Sequence, residues 1–170
     1  MFDRLVSGYT NTRGGKWMPG FYSMTCHQGF GEKTAALPSG RLSGKPLADG
    51  LAPVDGTDVL GPTASLNSVA KLEQQRFGNG INLNIKFDAD TVAGEEGRAV
   101  LEALLRGYFS QGGMQVQLNV LDSKVLQEAM ADPDSHRNLL VRISGYSAYF
   151  VDLTPEMQRE IIDRSRQKVR

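Results

Sequence analysis

Residues 81–87, which read INLNIKF, decide the fold, because they are the clearest strand in this chain of 170 residues. Apolar and polar side chains alternate through the whole stretch, a pattern typical of a strand with one face buried and the other in water. The apolar set is Ile81, Leu83, Ile85 and Phe87, and the polar set is Asn82, Asn84 and Lys86. We therefore predict a half-buried β-strand here.

A helix and a second strand follow this first strand along the chain. Residues 91–111 place apolar side chains at helical spacing and end at Gly112-Gly113, so they predict an amphipathic helix with a glycine stop. Residues 114–120 alternate again, with Met114, Val116, Leu118 and Val120 as the apolar set. Strand, helix and strand in this order predict a parallel βαβ unit and hence an α/β fold.

Two further helices are predicted on either side of this unit. Residues 62–72 have Pro62 in the first turn of a predicted helix, and the pair Asp122-Ser123 caps a second predicted helix, which runs to Ala131. The inward positions of the first of these helices are Ala64, Leu66, Val69 and Ala70.

The N-terminal third of the chain is less regular. Residues 17–26 are rich in aromatic and apolar side chains and are predicted to form a strand. A long Gly/Pro-rich connection follows at residues 27–62, and a connection of that length is usually functional or packed against another element. Within it, residues 38–41 predict a structural turn whose Arg41 anchors neighbouring backbone. Binding of an anionic group at this turn is the alternative, although the turn lacks the spacing of a P-loop.

The composition excludes several classes of function. The chain has 19 basic and 19 acidic residues, so it carries no net charge that would favour nucleic acid or an anionic membrane. Its single cysteine excludes a disulfide framework and suits a reducing compartment. No run approaches the ~18 apolar residues of a membrane span, and residues 1–5 lack the apolar core of a signal peptide. We expect a cytoplasmic protein with no nucleic-acid or membrane partner.

Residues 139–150, LLVRISGYSAYF, carry the most specific chemical signal. An apolar run leads into Gly145, and Thr154-Pro155 has the cap and first-turn chemistry of a helix that extends to Lys168. An ordinary turn at residues 144–146 between two strands is the alternative.

This stretch resembles the radical-bearing signature of the glycyl radical enzymes of the pyruvate formate-lyase superfamily, with Gly145 at the radical position. Further segments share the resemblance, which runs from about Arg13 to the C-terminus and covers roughly the last fifth of such an enzyme. They are residues 13–15, 37–41, 61–64, 67–69 and 112–117, with Asn119.

The resemblance implies a fold and a division of the chain. It implies the C-terminal part of a ten-stranded α/β barrel, with the glycyl radical loop and a closing C-terminal helix. Residues 1–12 would be an N-terminal lead-in, residues 13–132 a partial barrel segment, and residues 133–170 the radical loop and the last helix.

The resemblance also implies a function, that of a lyase cleaving a C–C, C–N, C–O or C–S bond of a small molecule. The cofactor would be a protein-derived radical on Gly145, formed by an activating enzyme that itself holds S-adenosylmethionine and an iron–sulfur cluster. Neighbours of the radical in the loop would be Arg142, Ser144, Tyr146 and Ser147. Substrate-lining residues would be Met18, Tyr22 and Met24, with Pro62 and Thr63 second.

The cysteine departs from the family pattern. Members of the family use a cysteine that exchanges hydrogen with the glycyl radical. Cys26 stands only 119 residues before Gly145 (145 − 26), and its neighbours do not match. We predict that Cys26 is a small buried side chain on a strand, that Cys26-His27 is no metal site, and that no metal is bound. The thiyl cysteine would then belong to another chain that carries the rest of the barrel.

Two alternatives stay open beside this incomplete lyase. The chain would be a stand-alone radical-domain module that repairs an oxygen-cleaved enzyme, or a truncated fragment without activity. The barrel strands disfavour the first alternative, and the missing family cysteine favours the second.

Overall fold

The computed structural model describes residues 2–54, 56–143 and 146–163, and its elements within these ranges are six α-helices and four β-strands. The helices are α1 (Phe2–Val6), α2 (Cys26–Glu32), α3 (Pro62–Ala70), α4 (Gly94–Ser110), α5 (Ser123–Ala131) and α6 (Pro155–Asp163). The strands are β1 (Asn84–Asp88), β2 (Gln117–Leu121), β3 (Leu140–Arg142) and β4 (Ser147–Tyr149).

The predicted βαβ unit is confirmed. Strands β1 and β2 pair in parallel, with Asn84 opposite Gln117, and α4 makes the crossover between them. Helix α4 ends where predicted because Gly112 has φ +96°, a conformation that residues with a side chain rarely adopt. It begins at Gly94 rather than at Thr91, after a 3-10 turn over Ala89–Val92. The fold is thus of the mixed α/β type.

The two flanking helices are also confirmed. Helix α3 starts at Pro62. Proline has no backbone N–H, and none is needed here because N–H groups in the first turn of a helix have no acceptor within the helix. Its last residue is Ala70, two positions earlier than the sequence predicts. Helix α5 is capped by Asp122, whose Oδ1 accepts a hydrogen bond from the Lys124 backbone N–H at 2.8 Å.

Two apolar clusters lie on opposite sides of β1, because successive side chains of a strand point to opposite faces. The first cluster consists of Leu51, Leu66, Val69, Leu83, Ile85, Phe87 and Tyr108. The second consists of Leu126, Ala129, Val141, Ile143, Phe150, Met157, Ile161 and Ile162. Burial raises the pKa of Tyr108, so its hydroxyl stays protonated and donates to Gln74 Oε1 at 2.9 Å.

Residues 81–87 contain a strand, as predicted, although β1 begins at Asn84, whereas the prediction that this strand is only half-buried is wrong. Asn82, Asn84 and Lys86 are all buried, together with the apolar side chains that alternate with them. The reason is that β1 belongs to a parallel sheet, which is normally covered on both faces. Its polar side packs on the C-terminal elements, which supply hydrogen-bond partners.

The prediction of a strand at residues 17–26 is wrong as well. The segment makes one parallel bridge, between Phe21 and Ile81, and Cys26 already belongs to α2. Pro19 lacks a backbone N–H for a ladder, and Met24 turns the chain towards the helix with φ +53°.

The turn at residues 38–41 is structural, as predicted. The Arg41 guanidinium donates to the backbone carbonyls of Thr34 and Leu42, each at 3.0 Å, and of Ala35 and Lys45. These contacts fold the connection over α2, where the Leu47 N–H donates to the His27 carbonyl at 3.0 Å. No helix among the described residues is long and apolar enough to cross a membrane.

The contact between this connection and α2 gives the first testable prediction. A Cβ added at Gly31 would lie 2.3 Å from the Lys45 carbonyl oxygen and 2.6 Å from the Pro46 Cα, whereas a Cβ at Gly29 meets nothing within 4 Å. Gly31→Ala should therefore destabilise this region by about 1–3 kcal/mol, and Gly29→Ala, in the same helix, should be neutral or slightly stabilising.

Hydrogen–deuterium exchange of the full chain measures this difference. In Gly31→Ala, peptides covering residues 26–47 should exchange about tenfold faster or more, since each 1.4 kcal/mol of local stability is a factor of ten. Equal exchange in the two variants would contradict the packing described here.

Candidate functional site

The predicted radical loop joins the two strands of an antiparallel hairpin. Strand β3 pairs with β4, and the Ile143 N–H donates to the Tyr146 carbonyl at 2.9 Å across the base of the loop. Ser144 and Gly145, two of the predicted site residues, lie outside the described residues. The flanks of the hairpin are anchored in the second apolar cluster, where Ile143 and Phe150 are fully buried.

Two of the predicted loop neighbours contact each other. Arg142 Nη1 donates to Ser147 Oγ at 3.1 Å, across the rung at which these two residues pair. Arg142 Nε also donates to Gln117 Oε1 on β2, at 3.4 Å. Tyr146 is 38% exposed. The hairpin is therefore linked to the parallel sheet through an arginine that the sequence places beside Gly145.

A chain of buried polar groups starts at the base of the loop. Asn84 Nδ2 donates to the Ile143 carbonyl at 2.9 Å and to Asp49 Oδ2 at 2.7 Å. The other Asp49 oxygen, Oδ1, accepts from the Ser23 hydroxyl at 2.6 Å. The residue two positions before Gly145 is thus held by a side chain of β1.

The polar chain continues to the last helix through His27. The Ser23 hydroxyl gives its single hydrogen to Asp49, so the 3.3 Å contact between Ser23 Oγ and His27 Nδ1 needs the hydrogen on the ring. His27 Nε2 lies 2.8 Å from Glu160 Oε1, and Gln28 Nε2 donates to Glu160 Oε2. His27 and Glu160 are both buried, so this contact links α2 to α6 inside the protein.

Lys86 makes a second link between β1 and α6. Its Nζ is buried and donates to the carbonyls of Ile161 and Ile162, at 3.1 and 3.0 Å, and to Ser123 Oγ at 3.3 Å. Ser123 Oγ in turn donates to Asp88 Oδ1 at 3.0 Å. These contacts give the buried ammonium group hydrogen-bond acceptors and tie β1 to α6.

The sequence prediction missed these anchoring residues. Asn84 and Lys86 were assigned to a solvent-facing side of β1, and Asp49 and Ser23 were not singled out. One signal was present in the sequence: a strand in a parallel βαβ unit is covered on both faces. Polar residues within such a strand should therefore be buried and paired.

The predicted substrate-lining residues fall into two groups. Met18, Tyr22 and Met24 are 59%, 51% and 49% exposed, and Tyr22 accepts a hydrogen bond from Asn79 at 3.3 Å. Pro62 is buried in the first turn of α3. Thr63 borders a cavity of about 290 Å³ between α3 and α4. Their role in lining a substrate cavity stays a prediction.

Cys26 differs from the prediction. Its side chain is exposed at the start of α2, so the expectation of a buried cysteine on a strand is wrong. Its neighbour His27 is buried and contacts Ser23 and Glu160. Within residues 2–54, 56–143 and 146–163, no three His, Cys, Asp or Glu side chains are grouped so that they could hold a metal ion.

Comparison with known proteins identifies the family. The family model described as "Glycine radical" matches residues 47–151. The chain is 39% identical to indoleacetate decarboxylase from Tractidigestivibacter scatoligenes, over 96% of this chain and 19% of that protein. It is 38% identical to (2S)-3-sulfopropanediol dehydratase from Klebsiella oxytoca, over 96% of this chain and 20% of that protein.

A solved structure agrees with these relatives. The glycerol-bound form of the B12-independent glycerol dehydratase from Clostridium butyricum superposes with a TM-score of 0.93 at 44% identity, covering 99% of this chain and 21% of that one. The chain thus spans about a fifth of the length of the proteins it matches. It belongs to the glycine radical family and corresponds to the C-terminal portion of a glycyl radical enzyme.

Proposed function

We propose that the chain is the radical-bearing C-terminal portion or subunit of a glycyl radical lyase, with the radical on Gly145. The observation that carries this proposal is the family match over residues 47–151, which includes the loop between β3 and β4 where Gly145 stands. The similar proteins named above are dehydratases and a decarboxylase, so the reaction class is cleavage of a bond in a small molecule.

Glycine suits this role for a physical reason. An α-carbon radical is planar and delocalises into the flanking amide nitrogen and carbonyl, and a side chain would crowd that arrangement. The rigid flanks support the assignment. Ile143 and Phe150 are buried on either side of the loop, and Arg142 joins Ser147 across it. With Ser144 and Tyr146, Arg142 and Ser147 are the proposed neighbours of the radical.

The proposed mechanism moves one hydrogen atom at a time. A separate activating enzyme, a radical S-adenosylmethionine protein with an iron–sulfur cluster, removes one α-hydrogen from Gly145. The Gly145 radical takes the hydrogen from a cysteine thiol and leaves a thiyl radical. The thiyl radical takes a hydrogen from the substrate, whose radical eliminates or fragments. The product radical recovers the hydrogen from the thiol, which becomes a thiyl radical again. This thiyl radical takes one α-hydrogen back from Gly145, so the Gly145 radical is restored at the end of each turnover and acts as a protein-derived cofactor.

The rest of the proposed barrel would cover the open parts of this structure. Strands β1 and β2 form a two-stranded sheet among the described residues, and open strand edges favour pairing with further strands. Exposed apolar side chains favour the same conclusion, including Trp17, Met18, Tyr22 and Met24 of the segment proposed to line the substrate cavity. The remaining barrel and the thiyl cysteine would thus come from outside residues 1–170, from a second chain in the proposed split lyase. We keep the proposed division of the chain into a lead-in over residues 1–12, a barrel segment over residues 13–132 and a radical segment over residues 133–170.

Repair of a damaged enzyme is the second candidate function. The chain would then dock on an oxygen-cleaved relative and replace its radical segment. A βαβ unit precedes the hairpin here, which favours the split lyase over such a module. The split lyase would be supported by a neighbouring gene whose product carries the cysteine loop. That product should end close to the family segment to which residues 13–15 correspond. A full-length relative in the same genome without such a gene would support repair.

The first prediction of this function concerns the need for a partner. Purified alone, the full chain should self-associate or bind a hydrophobic dye, because open strand edges and apolar side chains remain uncovered. Size-exclusion chromatography with light scattering and dye fluorescence measure both properties. A monodisperse monomer that melts cooperatively and binds no dye would contradict the requirement for a partner.

A second prediction concerns Cys26. Because the thiol is exposed, a water-soluble thiol reagent should label it rapidly without denaturant. Cys26→Ser should leave the radical on Gly145 and the turnover reconstituted with a partner unchanged, because the spacing and neighbours of Cys26 do not match the family cysteine. Loss of turnover with normal folding and a normal radical signal would make Cys26 the thiyl site instead.

The third prediction concerns the radical itself. After anaerobic treatment with a cognate activating enzyme and S-adenosylmethionine, the protein should give an organic radical doublet in electron paramagnetic resonance, from coupling to the one remaining α-hydrogen. Air should then cleave the chain into a large fragment ending near Ser144 and a small one holding the last helix. Gly145→Ala should abolish both results, because its methyl group crowds the planar radical.

Gly107→Ala is the matched control. Gly107 lies in α4 and a Cβ there meets nothing within 4 Å, so this variant should keep both the doublet and the cleavage. A doublet from Gly145→Ala, or cleavage at Gly112 or Gly113, would refute the assignment of the radical to Gly145.

A further inference from the structure

The turn that leads into α2 holds Met24 in a conformation that disfavours a side chain. The Cys26 N–H donates to the Ser23 carbonyl at 3.0 Å and closes the turn. Met24 is its first central residue, with φ +53°, and Thr25 is the second, with φ −117°. Turns with a positive φ at the first central position favour glycine, asparagine or aspartate there. Of the residues that the structure describes, Met24 is the only one other than glycine that has a positive φ.

Buried contacts tie the first residue of this turn to the hairpin of β3 and β4. Ser23 Oγ donates to Asp49 Oδ1 at 2.6 Å and accepts from the Gly50 N–H at 3.2 Å. The other Asp49 oxygen accepts from Asn84, which also donates to the Ile143 carbonyl at the end of β3. Asp49 and Asn84 are both buried, so the link runs inside the protein.

The residue after the turn, His27, is tied to the last helix. Its Nε2 lies 2.8 Å from Glu160 Oε1 in α6, and its backbone carbonyl accepts from the Leu47 N–H at 3.0 Å. His27 and Glu160 are 2% and 8% exposed. Ser23 and His27 are thus fastened to C-terminal elements on either side of Met24, whose own side chain is 49% exposed.

The strain at Met24 must be maintained by its surroundings, because an unsupported residue would relax to a negative φ. Strained residues are concentrated at functional sites. Glycine would form this turn without strain, but it would leave no side chain at the surface. Met24 belongs to the segment proposed to line the substrate cavity, and a flexible thioether side chain packs well on apolar groups. Keeping a methionine side chain at this surface accounts for both the strain and the anchors.

We propose that β3 and α6 hold Met24 in this turn and thereby set the shape of the candidate substrate-lining surface. Asp49 and Glu160 are the positioning residues, because they join these two elements to the ends of the turn. Displacement of either element frees the turn, and Met24 then relaxes and moves its side chain. The role towards the substrate rests on the function proposed above, whereas the strain and its anchors do not.

Met24→Gly and Met24→Ala test the strain in the full chain, with its partner chain where one exists. Both remove the methionine side chain, but alanine keeps the unfavourable positive φ and glycine does not. Hydrogen–deuterium exchange of the peptide covering residues 20–28, corrected for intrinsic exchange rates, should be about two- to fivefold slower in Met24→Gly than in Met24→Ala. Equal exchange, or faster exchange in Met24→Gly, would refute the strain.

Ser23→Ala and Glu160→Leu test the two anchors. Each should speed exchange of the same peptide about three- to tenfold, as for loss of a buried hydrogen bond. The matched controls are Ser68→Ala and Glu156→Leu, which make the same changes at exposed positions of α3 and α6 and should leave exchange unchanged. Ser23→Ala decides alone if Glu160→Leu fails to fold. Anchor variants that exchange like their controls would rule out the anchoring.

Combining two of these changes shows whether the anchors act on the strain. A glycine turn needs no anchor, so the effect of Ser23→Ala on exchange should be at least about twofold smaller in the Met24→Gly protein than in the protein with Met24. Equal effects in the two backgrounds would sink the proposal, since the contacts would then stabilise the segment without holding a strained turn.

Steady-state kinetics of the lyase, reconstituted with its partner and activated, tests the role towards the substrate. The compounds tried are glycerol, (2S)-3-sulfopropanediol and indoleacetate. Ser23→Ala should raise the KM of the compound turned over about fourfold or more, as for loss of one buried methylene contact, with kcat and the radical doublet unchanged.

The outcomes separate this inference from the proposed function. Faster exchange in Ser23→Ala with an unchanged KM would refute the positioning role and retain the anchored turn. If no radical forms, or none of the three compounds is turned over, the role towards the substrate fails together with the proposed function. The exchange results still decide on the strain at Met24 and on its anchors.

Discussion

The polar side of β1 is removed from water, and each polar side chain on it must therefore have a partner within the protein. A buried amide without one costs about 1–3 kcal/mol, and a buried ammonium group costs more. Asn84 and Lys86 find their partners in the C-terminal part of the chain, at the Ile143 carbonyl and at the carbonyls of Ile161 and Ile162. The positions of Ile143, at the end of β3, and of α6 both follow from this one requirement.

The same requirement gives the hairpin a rigid base. Ile143 is held by its buried side chain, by the hydrogen bond from Asn84 and by its own N–H to Tyr146. Asn84 is in turn oriented by Asp49, which Ser23 contacts from the segment just before α2. Under the proposed function, the loop presents one backbone carbon to its chemistry, and such anchoring would favour this role because small displacements of reacting groups lower rates strongly.

The elements predicted correctly are those in which local signals and packing agree. Pro62 in a first turn, the Asp122 cap and the glycine stop at Gly112 act within a few residues, so the sequence indicates them directly. The order of the elements predicted the parallel βαβ unit. The turn at residues 38–41 predicted that Arg41 anchors neighbouring backbone. The glycyl radical family followed from the residues around Gly145.

The errors arise where distant residues decide the outcome. The alternation in residues 81–87 predicts that one face of the strand is exposed to solvent. The C-terminal partners of Asn84 and Lys86, however, lie 59 and at least 75 residues further along the chain and bury both side chains. Residues 17–26 have strand-like composition, yet Phe21 alone of these residues forms a β-bridge, and the chain turns at Met24 into the helix that exposes Cys26. The anchoring residues of the candidate site were missed for the same reason.

The proposed boundary between residues 132 and 133 divides the chain by proposed function. It does not divide the chain into two separately packed parts. Helix α5 lies before that boundary, yet Leu126 and Ala129 share the second apolar cluster with Ile161 of α6. Asn84, on the barrel side, holds Ile143 on the radical side. A radical segment cut at this boundary would lose these contacts and expose the apolar side of its last helix. The β3–β4 hairpin is therefore anchored on the parallel sheet by side chains of β1 and β2, although it forms a separate antiparallel sheet.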